Sequence, residues 1–234
     1  MPQLSRTRRS PDSETNRKWS RRLFNTLSLD GQRDFNALGH LVTLPKGAIP
    51  FREDEPNRGV FVLCSGAVKL SCTSRLGKTL ILKVAFPGDV LGLGAVLSGK
   101  RYEVTAEMLE STVVKNIRRR DFLQFLSKYG EASMSAARAL SLEYRIAFFD
   151  ARRLALSGSA AGRIAAILLD WGRSAMPQKR FTMVLTHAEL GNLTGTTRET
   201  VTRTLTKLQQ TKVIQIKGSS IMILAPARLS ELAA

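Results

Sequence analysis

Few residues of this chain could ligate a metal or form a disulfide framework. Its 234 residues include two cysteines, Cys64 and Cys72, and two histidines, His40 and His187. An iron–sulfur cluster usually requires about four thiolates, so none is expected. The histidines are far apart without a ligand spacing, so no metal site is expected either. A glycine-containing turn separates the cysteines, which we interpret as buried free thiols, with a redox pair as the alternative.

Acidic residues and long apolar runs are also scarce. The chain has 36 Lys and Arg against 19 Asp and Glu, a formal charge of +17, and 43% hydrophobic residues. That apolar content excludes a disordered polycation, and a folded protein this basic is expected to bind a polyanion, either nucleic acid or an anionic membrane. No segment has the roughly 20 apolar residues of a membrane span. No apolar stretch follows the basic N-terminal residues, so a secretory signal is not expected. A cytoplasmic protein is expected.

Composition shifts divide the chain into four predicted segments. Residues 1–22 are polar and basic and are predicted to be a disordered tail. In residues 23–127, short apolar segments recur between glycines at intervals of about eight to twelve residues, which predicts a small antiparallel barrel. Residues 128–157 form a predicted long helix and hinge, and residues 158–234 a predicted C-terminal domain. Gly158, among small residues, is the candidate hinge.

The long helix has two apolar rows. The first alternates four- and three-residue steps, the spacing of a coiled-coil seam: Leu140, Tyr144, Ala147, Ala151 and Leu154. The second consists of Leu142, Ile146 and Phe149. A helix that is apolar on two sides must bury both, so we expect one row against its own barrel and the other against a second copy of the chain. An intramolecular core helix is the alternative to a homodimer.

Two capping patterns occur close together near the C-terminus. In each, a threonine is followed three residues later by a glutamate, the spacing of a capping box: Thr186 with Glu189, and Thr196 with Glu199. Two short helices are therefore predicted to begin near the two threonines. A hairpin with glycine at its turn is predicted over residues 214–223. A helix-turn-helix with a β wing results.

The exposed face of the second short helix has residue types suited to DNA. An arginine can donate two hydrogen bonds to guanine, and a carboxylate can accept one from cytosine. Candidate DNA-binding residues on this helix are Thr197, Arg198, Glu199, Thr202 and Arg203. Lys217 in the wing is a candidate contact to the DNA backbone, which would position the protein without reading sequence. The alternatives are that Glu199 only caps its helix or pairs with Arg203, and that the arginines contact phosphates without reading bases.

Residues 197–203, TRETVTR, resemble the recognition helix of the cyclic-AMP receptor protein and fumarate–nitrate regulator family of bacterial transcription factors. Segments 44–47, 59–66 and 86–92 resemble the cyclic-nucleotide-binding jelly roll of the same family. The resemblance implies an α+β fold: an N-terminal antiparallel β jelly roll, a long dimerisation helix and a C-terminal winged helix-turn-helix. In that family, the residues matching Arg198, Glu199 and Arg203 read a G-rich half-site, while Thr202 replaces a Gly or Ser.

The segment that resembles the nucleotide-binding cassette departs from the family pattern. Members that bind cyclic AMP present a Glu to the ribose and an Arg to the phosphate. Here Leu93, after Gly92, takes the place of the Glu, and Glu103 stands at or near the place of the Arg, where it would repel a phosphate. Arg101 would serve only with a different loop length. These four residues are the candidate ligand-binding set; a cyclic nucleotide is disfavoured but stays open.

Together these features predict a sequence-specific regulator that binds a palindromic double-stranded DNA site as a homodimer, with RNA polymerase as an implied partner. Its sensor barrel is either effector-responsive or vestigial. One alternative is a small-molecule sensor with secondary DNA binding, and another is a non-specific nucleoid-type binder. An enzyme is not expected, since no carboxylate pair, activated nucleophile, phosphate loop or metal cluster is present.

Overall fold

The computed structural model describes residues 26–156, 159–174 and 180–233. They form two compact units. The first contains Ala85–Leu142 and the described residues before Lys69; the second contains Lys69–Val84 and the described residues from Glu143 onward. The predicted tail and the candidate hinge Gly158 lie outside the described residues.

The elements alternate between helices and short strands. In chain order they are α1 (Leu29–Ala37), β1 (His40–Leu44), β2 (Gly59–Ser65), β3 (Val68–Thr73), β4 (Thr79–Ala85), β5 (Val90–Leu91), α2 (Leu93–Ser98), β6 (Thr105–Met108), β7 (Thr112–Arg118), α3 (Arg119–Lys128), α4 (Gly130–Leu156), α5 (Ala160–Ser174), β8 (Arg180–Thr182), α6 (His187–Thr194), α7 (Arg198–Gln210), β9 (Ile214–Lys217), β10 (Ser220–Ile223) and α8 (Pro226–Ala233). The α+β class, with antiparallel sheets first, a long helix next and a helix-turn-helix with a small sheet last, is confirmed. None of the described helices is both long and apolar enough to cross a bilayer.

The first unit is organised around a four-stranded sheet of order β1-β7-β2-β5 with antiparallel pairs. Val60, Val62 and Ile117 on one face of this sheet are buried in a core with residues of α1, α2 and α3. Among the helix residues, Phe35 and Phe125 have ring centroids 5.5 Å apart. Alternate residues of a strand share a face, so Val60, Val62 and Ile117 together provide one apolar surface for the helices.

The turn between β2 and β3 requires glycine. Gly66 has φ +89°, and a Cβ there would lie 2.4 Å from Thr112 Oγ1. The predicted separation of the two cysteines by this turn is confirmed. Cys64 is buried, which raises the pKa of its thiol. Cys72 is only half-buried, so the expectation of two buried thiols is wrong for Cys72, which lies beside the exposed end of β3 at Thr73.

A buried lysine joins α1 to the sheet, which sequence analysis did not predict. Lys115 is 3% exposed, and its Nζ donates hydrogen bonds of 2.8 Å to the carbonyl oxygens of Phe35 and Asn36. These carbonyls lie in the last turn of α1, where helix carbonyls lack intrahelical partners. Burial lowers the pKa of Lys115 to about 8, although interaction with Cys64 acts to raise it. The lysine stabilises α1 against β7 at a cost in desolvation.

Helix α4 packs on the first unit only through its first turns. Ala132 and Ala136 are buried there, and Leu140 is partly buried against the same core. The second predicted row is exposed instead: Leu142, Ile146 and Phe149. The first row contacts this core only through Leu140, and its Tyr144, Ala147 and Ala151 are exposed. The expectation that one whole row covers the barrel is therefore wrong, because the close contact is made by small alanines one to two turns earlier than Leu140.

Large apolar side chains remain uncovered along the middle of α4. Tyr144 is 72% exposed and Phe148 is 57% exposed. Ala147 and Ala151 of the predicted seam are exposed as well, and the Leu154 side chain lies outside the described part. Exposed apolar residues this close together on one helix are typical of an interaction surface.

The second unit has its own core, formed by α5, α6, α7, α8 and the sheet of order β8-β10-β9. Ser159 Oγ accepts a 3.0 Å hydrogen bond from Gly162 N at the start of α5, as an N-cap does. Strand β8 is short and ends at Thr182. Beyond it, Met183 N still donates to Ser219 O at 2.7 Å.

We predict that replacing Lys115 changes how stability depends on pH. Because the pKa of Lys115 is about 8 in the folded chain and 10.5 as its ordinary value, the unfolded chain holds the proton more tightly between those pH values. Wild-type stability should therefore rise through this window relative to Lys115→Met, by up to about 3 kcal/mol. Denaturant unfolding of both proteins at pH 8, 9 and 10 measures this difference; a difference that does not change with pH would contradict it.

Candidate DNA interface

The first helix of the helix-turn-helix begins with a complete capping box, as predicted. Thr186 Oγ1 accepts from Glu189 N at 3.2 Å, and Thr186 N donates to Glu189 Oε2 at 2.9 Å. Lys69 Nζ, from β3 of the same unit, also donates to Glu189 Oε1 at 2.7 Å. Burial acts to raise the pKa of Glu189, but the hydrogen bonds from Lys69 and Thr186 outweigh it and the pKa is lowered. The carboxylate therefore stays ionised and holds the start of α6.

The second predicted capping box, Thr196 with Glu199, is wrong. Gly195, with φ +63°, caps the end of α6, and Thr196 N is used in the turn, where it donates to Gly191 O at 2.9 Å. The N-cap of α7 is Thr197, whose Oγ1 accepts from Thr200 N at 3.3 Å. A left-handed glycine at the end of α6 thus uses one more residue in the turn than the spacing indicated.

The turn between the two helices is tight. A Cβ at Gly191 would lie 2.8 Å from Thr196 O. Glycine at this position therefore lets the turn backbone approach α6, and the two helices share the buried residues Leu190, Val201 and Leu205. This packing fixes which side of α7 is exposed.

The exposed side of α7 contains the predicted DNA-binding residues. Thr197, Arg198, Glu199, Thr202 and Arg203 are all exposed. Within the described ranges, neither the Arg198 nor the Arg203 guanidinium makes a hydrogen bond or an ion pair with another side chain, although the Arg198 charge acts on the neighbouring Glu199. Both groups are thus accessible to an external acceptor.

Glu199 is engaged at the start of its helix. Its own backbone N–H, then the Thr197 hydroxyl, donate to the carboxylate and lower the pKa of Glu199, with a contribution from the Arg198 charge. An anion in the first turn is also favoured by the helix dipole. The structure brings Glu199 next to Thr197 and Arg198, and its contact with a base stays a prediction.

Thr202 has a partner that the sequence analysis did not assign. Its Oγ1 donates to Arg198 O at 3.0 Å, one turn earlier in α7, and lies 2.9 Å from Nδ1 of His187, the first residue of α6. The sequence offers His187 only as a possible metal ligand. The helix-turn-helix spacing brings residues 187 and 202 together, and no local pattern indicates this.

The wing follows α7 as predicted. Strand β9 pairs with β10 around Gly218, which has φ +59°, and Lys217 pairs with Ser220 at the tip. Ile214 and Ile221 are buried in the core of the unit, whereas Lys217 is exposed. The wing thus presents a lysine next to its turn.

Two family models match this chain. Residues 162–232 match the Crp-like helix-turn-helix domain, and residues 41–129 match the cyclic nucleotide-binding domain. The transcriptional activatory protein AadR of Rhodopseudomonas palustris is 31% identical over 198 residues, which cover 81% of this chain and 79% of AadR. The chain belongs to the Crp/Fnr family of transcription regulators. It is a DNA-binding transcription regulator and not an enzyme.

Other Crp/Fnr relatives agree with this assignment. The nitrogen fixation regulation protein FixK of Bradyrhizobium diazoefficiens is 29% identical over 208 residues, which cover 86% of this chain and 85% of FixK. The solved structure of FixK2 from Bradyrhizobium japonicum matches with a TM-score of 0.78 and 25% identity, covering 84% of this chain and 98% of FixK2. The similarity thus extends over both the antiparallel sheets and the helix-turn-helix.

The candidate ligand residues lack the Glu that members of the family present to the ribose of cyclic AMP, and cyclic-nucleotide binding stays a disfavoured prediction. Leu93 is buried at the start of α2, after Gly92 in a left-handed conformation, and offers no acceptor. Glu103 Oε1 lies 3.4 Å from the position of a Cβ on Gly94 and places a negative charge beside that helix. Arg101 donates through Nη1 to the carbonyl oxygen of Asp54. Arg101 and Glu103 do line one surface cleft of about 670 Å³.

Tyr102, between these two residues, has a structural role. It is buried, its ring stacks on Phe51 with centroids 4.0 Å apart, and its hydroxyl donates to Gly59 O at 2.8 Å. Over residues 26–156, 159–174 and 180–233, no three His, Cys, Asp or Glu side chains group together as metal ligands. No effector is assigned by these residues.

The position of the α7 N-cap can be tested with two adjacent threonines. We predict that Thr197→Ala lowers the free energy of unfolding by about 1 kcal/mol, because Thr200 N loses its acceptor. Thr196→Ala should change it by less than half as much. Denaturant unfolding of both variants measures this difference. A larger loss of unfolding free energy for Thr196→Ala would contradict the prediction and make Thr196 the N-cap.

Proposed function

We propose that this regulator binds a palindromic DNA site as a homodimer, with α7 of each subunit in the major groove. The observation that supports it most directly is the exposed pair Arg198 and Arg203, neither engaged by another described side chain. Their helix is held from behind by Val201, Leu205 and Leu208, which are buried. A rigid short helix with free guanidinium groups has the shape and chemistry that the major groove accepts.

The proposed contacts follow from the chemistry of each side chain. Arg198 and Arg203 donate in pairs to guanine O6 and N7, and Glu199 accepts from cytosine N4. Thr197 and Thr202 lie beside them on the same exposed side. Lys217 in the wing contacts phosphates and contributes affinity rather than sequence preference.

The dimer is proposed to form through α4. Leu140, Tyr144, Ala147, Ala151 and Leu154 form the seam, and the exposure of Tyr144 and Phe148 leaves apolar surface for a second copy. A twofold dimer repeats the same patch on both subunits. It also presents two α7 helices, which read half-sites about 34–36 Å apart and therefore a palindrome.

RNA polymerase is the proposed partner in transcription.

The N-terminal antiparallel sheets are proposed to form a sensor barrel that either responds to an effector or is vestigial. The proposed domains are 23–127 for the barrel, 128–157 for the helix and hinge, and 158–234 for DNA binding. If an effector acts, its differential binding to two states would change the spacing of the DNA-binding domains about Gly158.

Base readout can be tested by charge-matched variants. On a duplex selected from a random library, Arg198→Ala and Arg203→Ala should each lose about 1–3 kcal/mol, roughly 5- to 150-fold in Kd, because bidentate guanine contacts are lost. Arg33→Ala removes the same charge from an exposed position in α1 and is the control. Fluorescence anisotropy on the selected and a scrambled duplex measures the effect.

The outcome that would contradict base readout is an equal loss on both duplexes. Uniform weakening, together with a steep dependence on salt, would instead support a charge-driven, non-specific binder.

The dimer seam can be tested by two exposed residues of the same helix. Tyr144→Asp should yield monomers in sedimentation, because a carboxylate would be buried without a partner in the seam. Leu142→Asp, on the second row, should sediment as the wild type. Monomers from Leu142→Asp alone would place the interface on the other row, and unchanged sedimentation of both would contradict an α4 dimer.

A further inference from the structure

The contact between His187 and Thr202 links the first residue of α6 to the exposed side of α7. Thr202 Oγ1 lies 3.0 Å from Arg198 O and 2.9 Å from His187 Nδ1. Thr202 is exposed and His187 is half-buried. The hydroxyl is therefore held by two groups, while the rest of the Thr202 side chain faces away from the core.

The protons of this contact can be assigned from the partners. A carbonyl oxygen only accepts, so the single hydroxyl proton of Thr202 is directed at Arg198 O. The Thr202 oxygen must then accept from His187, which requires the hydrogen on Nδ1. If the Thr202 hydroxyl donated to His187 Nδ1 instead, no proton would lie between the Thr202 oxygen and Arg198 O, which are 3.0 Å apart. His187 is thus the donor in both its Nδ1–H neutral form and its cationic form.

The two hydrogen bonds fix the orientation of a methyl group. Threonine has its hydroxyl and methyl on the same Cβ, so holding Oγ1 in one rotamer also determines where the methyl lies. A threonine methyl can contact the C5 methyl of thymine, which is the feature that distinguishes thymine in the major groove.

We propose that His187 is a positioning residue that holds the Thr202 methyl toward the DNA and thereby creates a preference for thymine at one base pair of each half-site. This inference rests on the proposed entry of α7 into the major groove. It assigns to Thr202 an apolar contact through its methyl, because its hydroxyl is already occupied by Arg198 O and His187.

The test replaces thymine by deoxyuridine, which lacks only the C5 methyl, at each thymine of the selected half-site in turn. Wild-type protein should lose about three- to fivefold in affinity at one position, as expected for one buried methyl group. Thr202→Ser keeps the hydroxyl and removes the methyl, so it should bind the thymine and deoxyuridine duplexes equally.

Variants of His187 separate positioning from other roles. His187→Ala should lose the discrimination against deoxyuridine. His187→Asn, whose amide N–H occupies nearly the position of Nδ1, should restore it, whereas His187→Gln, whose amide reaches nearly the position of Nε2, should not. In the double variant His187→Ala with Thr202→Ser, the thymine-to-deoxyuridine ratio should equal that of Thr202→Ser alone.

Two results would overturn the inference. One is a wild-type protein that prefers its selected duplex but discriminates against deoxyuridine at no position. The other is a His187→Ala protein that weakens equally on both duplexes while keeping the wild-type ratio, as a phosphate contact by His187 would give. Failure of the proposed function looks different, since the wild-type protein would then not distinguish the selected duplex from a scrambled one.

Discussion

Burial of one apolar stripe of α7 is the constraint on which the DNA interface depends. Val201, Leu205 and Leu208 pack into the core of the second unit. Because this helix has a single buried stripe, the side chains on its other side face outward, and these include both arginines, Arg198 and Arg203. The glycine turn before α7 and the wing after it hold this helix at both ends. Hydrophobic packing of α7 therefore determines which of its side chains are available to contact DNA.

Features that depend on neighbouring residues in the chain could be predicted from the sequence. The capping box at Thr186 and the wing turn at Gly218 each need a residue type at a fixed spacing, and the structure contains both. The α+β class and the helix-turn-helix also follow from local periodicity. The roles of the candidate DNA-binding residues stay predictions, since their partner lies outside the chain.

Features that depend on distant residues could not be predicted. Lys115 lies on the same face of β7 as Ile117, but no residue near it in the sequence indicates its partner, because α1, about 80 positions earlier, covers it and supplies two carbonyls. The contact of His187 with Thr202 likewise exists only after α6 and α7 pack. In α4, the packed stripe depends on where the first core ends, which periodicity alone does not show. The N-cap of α7 shifted to Thr197 because the turn used one more residue than the spacing indicated.

The central claim is that the free guanidinium groups of α7 meet the edges of bases. It is tested most directly by measuring affinity for duplexes in which single guanines of the selected half-site carry 7-deazaguanine, which lacks the N7 acceptor and keeps the backbone unchanged. We expect the wild-type protein to lose about tenfold in affinity at one or more guanines. The variant without the arginine that contacts that guanine should lose no further affinity there. Equal affinity for every substituted duplex would contradict the claim.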